Sequence, residues 1–290
     1  MATVVPFITV DKIPGLPTSV IRDFTTEDWA AFSTDQLVAL TSTQFAAIQA
    51  TGIPAIAAAK FAAIEVADLK ALSTAAVAAI KTDQIVAMTA DQIGALTTAQ
   101  ISKLSGTQLG ALQTDDMVAL TSAQIAALSA TQLAALSTEQ LTNIEAADVK
   151  AITTAALRSL SNAQLGSLTS DQLGALSSTQ LNNLTTDQVA TLATEDLNAL
   201  TAAQFATLST AQVKVLTAGQ IKALVTEDLN ALGTAQFASL SATQAAALRT
   251  DQINALETAD LKALTTAALA SLSSDQIAAI ASDSISALTT

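Results

Sequence analysis

From about Ser33 onward the chain repeats one eight-residue phrase, seen cleanly as TSAQIAAL and SATQLAAL between Thr121 and Leu136. About 32 copies follow one another without a true insertion, and such a repeat governs the architecture before any other pattern does. Apolar positions within the copies alternate in spacing, three from Ile125 to Leu128 and five from Leu128 to Leu133. Their mean spacing of four does not match the 3.6-residue helical turn. Eight residues turn an ideal helix by about 800°, so the apolar stripe drifts about 80° per copy. One continuous helix would wrap its core positions around every face. Strands fail too, because offsets of three and five fall on opposite faces and the filler is Ala and Gln.

The backbone must therefore break once per copy, and the phrase supplies the break. Numbering each copy as slots 1 to 8, with Thr121 in slot 1, the segments Thr121-x-x-Gln124, Ser137-x-x-Gln140 and Thr169-x-x-Gln172 match a capping box. In that motif the hydroxyl accepts from the third backbone N–H of a helix, and the Gln side chain reaches back to the cap. Where slot 1 holds Lys81, Gln113, Val225 or Arg249, the next residue is Thr82, Thr114, Thr226 or Thr250. There the helix start is expected to shift by one residue. Acidic residues such as Asp83, Asp91, Asp171, Glu195 and Asp251 fall in the first turn, where the helix dipole favours them. Each copy reads as a helix of about one and a half turns ending in a tight reversal. A helix so short persists only by stacking on its neighbours. The fold class that follows is all-α, a solenoid of very short capped helices with eight residues per helix.

A longer period is visible. Phe45, Phe61, Phe205 and Phe237, all in slot 5, are separated by multiples of sixteen. So are Asp68, Asp116, Asp148, Asp196, Asp228 and Asp260, which replace the slot-4 Gln. The phrases starting at Glu65, Glu145 and Glu257 are offset by 80 and 112, which weighs against a strict 32-residue unit. The expectation is a coil of sixteen residues, two facing helices, with slots 5 and 8 in the core. Lys70, Lys150, Arg158, Lys214, Lys222 and Lys262 share one slot and are expected to face water.

Residues 1–32 break the pattern and hold three of the four prolines, Pro6, Pro14 and Pro17. TVVPFITV reads as extended and β-prone, and Phe24, Trp29 and Phe32 cluster just before the regular array. Two domains are expected: residues 1–32 as a non-repeat cap or docking segment, and 33–290 as the octapeptide solenoid. The residues singled out for capping or subunit docking are Val4, Val5, Phe7, Ile8, Val10, Phe24, Trp29 and Phe32. A cap covering the first coil is the plainer reading, since solenoids need one. The final segment, ASDSISALTT, is a weakened copy that caps or frays the other end.

The chemistry of the side chains narrows function mainly by exclusion. With no Cys, His or Tyr, disulfides, Cys/His zinc sites and imidazole catalysis are ruled out. The net charge of -13 argues against nucleic acid as a partner. The most apolar stretch, Ile53 to Ile64, contains Pro54 and Lys60 and is too short to span a bilayer, so no membrane insertion is expected. The N-terminus lacks a basic n-region and an apolar h-region, so no conventional signal peptide is visible. Asp115/Asp116, Glu195/Asp196 and Glu227/Asp228 suit a hard cation in type, but each lies at a helix start where a carboxylate is stabilised without metal. No catalytic, cofactor-binding or metal-binding residue is assigned, and no enzyme is expected.

Phrases such as LTSAQIAALSATQLAAL resemble the L-[ST]-x-x-Q-[LIV]-x-A octapeptide tracts of very large bacterial surface and secreted repeat proteins, adhesin-like ones among them. The resemblance covers roughly residues 33–288 and carries no site residues with it. It implies a structural role at an extracellular or cell-surface location. The expectation is a rod-like subunit or spacer whose main partner is itself, head to tail, with a surface anchor protein as a further partner. A second expectation is a binding module in which a regular Ser/Thr/Ala face meets ice, a glycan or a protein.

Overall fold

The structure, a computed structural model, describes residues 3–288. Among them every regular element is helical: 32 α-helices of four to seven residues, and 3₁₀ helices at Val5–Phe7, Val10–Gly15, Ile53–Ala55 and Ala58–Ala63. The chain divides into two compact units, residues 1–152 and 153–290, and each is built by the same rules.

Each octad is helical over roughly slots 2 to 6. At Thr121 the hydroxyl accepts from the Gln124 N–H, and the Gln124 Oε1 accepts from the Thr121 N–H at 2.8 Å. The expected capping box is thus present. The expected one-residue shift is not. The helices of Thr82–Val86 and Thr250–Ala255 still have Lys81 and Arg249 as N-caps. There the Gln half of the box survives alone, with Gln84 and Gln252 each accepting the slot-1 N–H at 2.7 Å. The helix start is held by slot 4 as well as by a hydroxyl.

Slots 8 and 1 are both extended, as at Leu96 (φ -58, ψ 143) and Thr97 (φ -71, ψ 156). No described residue has a positive φ. Two extended residues make an open corner rather than the tight reversal that would send the next helix straight back. The sixteen-residue coil is therefore corrected. Helix Ala90–Ala95 packs on Thr114–Ala119, and Ser42–Phe45 on Val66–Ala71, each partner lying three octads on. Polar links reach a fourth octad, described below, so a coil spans between three and four octads. The Phe and Asp phases do not set the coil length, since Phe45 and Phe61 stand 16 residues apart and Asp68 and Asp116 stand 48 apart. Phe205 and Phe237, and also Asp196, Asp228 and Asp260, stand 32 residues apart, four octads, the reach of the polar link.

Slots 5 and 8 fill the interior: Leu133 and Leu136 in the first unit, Leu197 and Leu200 in the second, all at most 4% exposed. Full burial of each such side chain stabilises by about 1.5–3 kcal/mol, which offsets the poor stability of a five-residue helix. The slot-6 lysines and Arg158 face water, as expected.

The same interior continues through residues 1–32. Val5, Ile13, Ile21 and Trp29 occupy slot 5 and are buried, and the Thr25–Asp28 pair forms a capping box for helix Thr26–Ala31. The segment expected to be extended is 3₁₀-helical at Val5–Phe7 and Val10–Gly15. Pro6 and Pro14 lie inside these helices, where the fixed proline φ fits but a donor is lost. No break in register occurs near residue 32. At the other end, Ser282–Leu288 is helical, and Thr289 and Thr290 lie outside the described residues.

Slot 6 meets slot 7 of the octad three further on. Three slot-6 Asn residues donate to that carbonyl, Asn198 to Ala223 O at 3.1 Å, Asn230 to Ala255 O at 2.8 Å and Asn254 to Ala279 O at 3.1 Å. Where slot 6 is Gly the backbones close in: a Cβ on Gly94 would stand 2.7 Å from Ala119 O. Gly94→Ala in an ordinary helix would stabilise by about 0.5–1 kcal/mol. Here overpacking outweighs that gain, and a net loss of about 1–3 kcal/mol is expected. Thermal unfolding reads the sign directly, and a stabilised variant would show that this contact yields.

Candidate functional site

Slot 4 builds the feature that gives each coil two different edges. The Gln84 Oε1 accepts from its own cap, while its Nε2 donates to Ile53 O at 2.8 Å and Ile56 O at 2.6 Å, four octads earlier. Gln92, Gln100 and Gln140 repeat this in the first unit, and Gln212, Gln244 and Gln252 in the second. Each amide is buried and uses its oxygen and both N–H donors. A Glu would complete the capping box but has no donor for two buried carbonyls. The amide ladder is why slot 4 is Gln.

Every coil thus presents slot-4 donors on one edge and slot-5 and slot-8 carbonyls on the other. Residues 5–16 enter the ladder as acceptors: Gln36 donates to Val5 O and Ile8 O, and Gln44 to Ile13 O and Leu16 O, at 2.7–2.9 Å. In the first coil slot 4 holds Val4, Lys12, Val20 and Asp28, none of them Gln. Val4 and Val20 are 59% and 37% exposed. Asp28 is occupied locally, accepting from Thr3 Oγ1 at 2.6 Å and from the Thr25 N–H at 2.9 Å. Burial works against its ionisation, but those hydrogen bonds outweigh it and hold the carboxyl below the usual range.

The residues singled out from the sequence divide accordingly. Val5, Trp29 and Phe32 are buried, Ile8 and Phe24 half-buried. Phe24, Trp29 and Phe32 do cluster, Trp29 stacking on Phe32 at 4.9 Å and Phe24 meeting both rings edge-on at 5.5–5.7 Å. Gly52 stands in slot 4 beside this cluster, where a Cβ would lie 2.4 Å from the Trp29 indole. These aromatics form interior packing of the first coil. Val4, Phe7 and Val10 remain at the surface, Phe7 at 86% exposure. Val10 borders a surface groove with Pro6, Ile8 and Gln36.

Sequence reading missed Lys12 and Val20, although their spacing of eight and sixteen from Val4 carries slot 4 through the prolines. It also missed the acceptor edge of the second unit. There Leu269 is half-buried, and Ile277 and Ile285 are 48% and 41% exposed, although slot 5 is almost fully buried in earlier coils. Among the described residues no side chain donates to the carbonyls of Leu269, Leu272, Ile277 or Ile280.

Where Asp replaces Gln, at Asp68, Asp148 and Asp196 a link runs instead to the octad three back. Ser42 Oγ donates to Asp68 at 2.6 Å, Ser170 Oγ to Asp196 at 3.1 Å, and Ser122 Oγ to Asp148. The equivalent residue for Asp228 is Ala202. Burial and the neighbouring Glu227 charge push the Asp228 carboxyl up to about 6, and burial also raises Asp68, Asp116 and Asp260. A folded-state value above the unfolded one of about 3.9 contributes stability fully present below about pH 4 and lost as pH rises through about 6. Asp228→Asn is therefore expected to raise Tm at pH 7.5 and to give little gain at pH 4. Ala202→Ser, which restores the hydroxyl donor, is expected to lower the Asp228 titration midpoint. Equal gains at both pH values would refute this account.

Many slot-1 hydroxyls are used in both directions. Thr97 and Thr201 accept the helix N–H and also donate to the Gln Oε1 at 2.9–3.1 Å. Asp115, Glu195 and Glu227 lie in first turns beside buried Asp116, Asp196 and Asp228. Among the described residues no group of three acidic side chains is placed to hold a metal ion, and no helix is long and apolar enough to cross a membrane.

Residues 61–98, 109–143, 141–178, 189–226, 221–256 and 253–290 match a family described as the ALTTAQ repeat. That phrase occurs as written at Ala95 to Gln100, spanning the corner and the ladder Gln. No curated protein matches the chain.

Proposed function

Because the chain belongs to the ALTTAQ repeat family, its matches covering well over half of the residues, we propose that it is a structural repeat protein. In this reading it is a subunit or spacer of an extracellular bacterial filament or surface fibre, and copies assemble through their edges. One observation carries the reading. A coil whose slot-4 edge donates and whose other edge accepts is a unit that adds to another of its kind, as Gln84 does on Ile53 and Ile56. Adding coils buries slot 5 and satisfies two carbonyls per octad without any new chemistry.

Head-to-tail (heterologous) joining of such edges gives filaments when the rotation does not close a ring. A surface anchor protein would then hold one edge, and the resemblance to octapeptide tracts of bacterial surface proteins supports that setting. The ligand-face alternative gains less support, since hydroxyls such as Thr97 and Thr201 are engaged inside their own helices.

Negative-stain electron microscopy and light scattering across a concentration series test assembly. Filaments that lengthen with concentration are expected. Compact monomers at every concentration would overturn the assembly reading. Antibody labelling of intact cells against lysed cells tests the location, and signal only after lysis would move the protein inside.

A further inference from the structure

We propose that the slot-4 edge of the first coil, formed by Val4, Phe7, Lys12 and Val20, docks on the edge formed by Leu269, Ile277 and Ile285 of a second copy of this chain. The inference rests on the assembly reading and names its interface. Its basis is the way coils already meet within each unit. Slot 4 lies on slots 5 and 8 of the octad four earlier, as Gln236 does on Phe205 and Leu208 at 2.8–3.1 Å. Slot 7 lies on slots 2 and 6 of the octad three earlier, as Ala135 does beside Gly106 and Gly110. Phe7 is in slot 7, so it shares the edge with Val4, Lys12 and Val20.

Lys12 has a precedent inside the molecule. Lys60, which also stands in slot 4, donates to the Ala30 and Phe32 carbonyls four octads earlier, replacing a Gln in the ladder. Among the described residues Lys12 pairs only with its exposed neighbour Asp11, at 3.2 Å. The opposing edge supplies what a slot-4 lysine takes, the Ala270 and Leu272 carbonyls, to which no side chain donates among the described residues. The apolar parts match as well. Lys12 and Val20 are eight residues apart, and so are Leu269 and Ile277, so setting Lys12 over the octad of Leu269 sets Val20 over Ile277. Phe7 then falls on Ala270 and Thr266. Each contact reproduces a slot pairing used inside the units, and the half-exposed Ile277 gains the cover its slot has elsewhere.

The absence of native cysteine gives a test with no background. Val20→Cys and Ile277→Cys proteins are prepared singly, mixed, and oxidised gently. The expected product on a non-reducing gel is a mixed dimer, and the double variant is expected to give a ladder of oligomers. Cross-linking of Val20→Cys to itself would show that like edges meet and would overturn the proposal. Filaments of wild-type protein without any Val20–Ile277 cross-link would also overturn it, while leaving the assembly reading intact. Wild type that never assembles would bring down both. As a second arm, Lys12→Glu and Ile277→Asp alter exposed residues, so circular dichroism is expected to stay native while the concentration needed for assembly rises about tenfold or more. Unchanged assembly in both variants would refute the interface.

Discussion

Gln84→Glu is expected to destabilise the first unit by about 3–5 kcal/mol at pH 7 and to recover most of that loss near pH 4. Gln84 is fully buried, and its Nε2 serves Ile53 O and Ile56 O at 2.6–2.8 Å. A carboxylate keeps the acceptor bond to the Lys81 N–H but turns an oxygen toward two carbonyl oxygens. Both carbonyls lose their donor, and a charge is buried without a counter-ion. Burial raises the introduced carboxyl above its unfolded value of about 4.3. The sign follows from linkage: the penalty is absent below that unfolded value and grows as pH rises through the folded one. When protonated, the group donates one hydrogen bond again, so recovery is large but incomplete. Gln84→Met, which removes the donors without adding charge, is expected to cost about 1–3 kcal/mol with no pH dependence. Denaturant unfolding at pH 4 and pH 7 checks both variants. If Gln84→Glu is equally stable at the two values, the amide is not a ladder donor.

Phe205→Ala is the second large effect, about 3–5 kcal/mol from lost burial and a residual cavity. Phe205 is fully buried in slot 5, and the octad of Phe237 stacks directly on it through the Gln236 amide at 3.1 Å. Leu is the commonest residue of this slot, so Phe205→Leu is expected to cost less, on the order of 1 kcal/mol. Coils touch only their neighbours, so the damage should be local. Hydrogen exchange is expected to speed up around residues 174–240 and to stay unchanged in octads 250–280. A loss spread evenly over both stretches, or equal costs for Ala and Leu, would contradict stacking as the source of stability.

Much of this was legible in eight letters. The three-and-five spacing excluded a continuous helix, and Thr121 with Gln124 marked a helix start that the structure reproduces. The coil length was not legible. A period of sixteen in Phe and Asp is a true regularity of the chain, yet a coil spans between three and four octads, and periodicity alone cannot tell a spacing of two octads from one of three or four. The open corner at slots 8 and 1 decides between them, and φ/ψ at Leu96 and Thr97 is set by how neighbouring coils fit.

The candidate site shows the same division. Prolines at 6, 14 and 17 hid the register of Val4, Lys12 and Val20, because composition changes where spacing does not. Trp29 and Phe32 suited either a cap or a docking patch by residue type, and their burial places them in the interior of the first coil.

The sequence by itself determined the local events: where each helix starts, which two slots are apolar, and that short helices must stack. Those are decided within eight residues by capping and hydrophobic spacing. Only the tertiary structure decided what the second half of the Gln side chain does and which edge residues are left uncovered. Both depend on partners 28–31 residues away, and a repeat in which every octad looks alike does not say which octad that partner is.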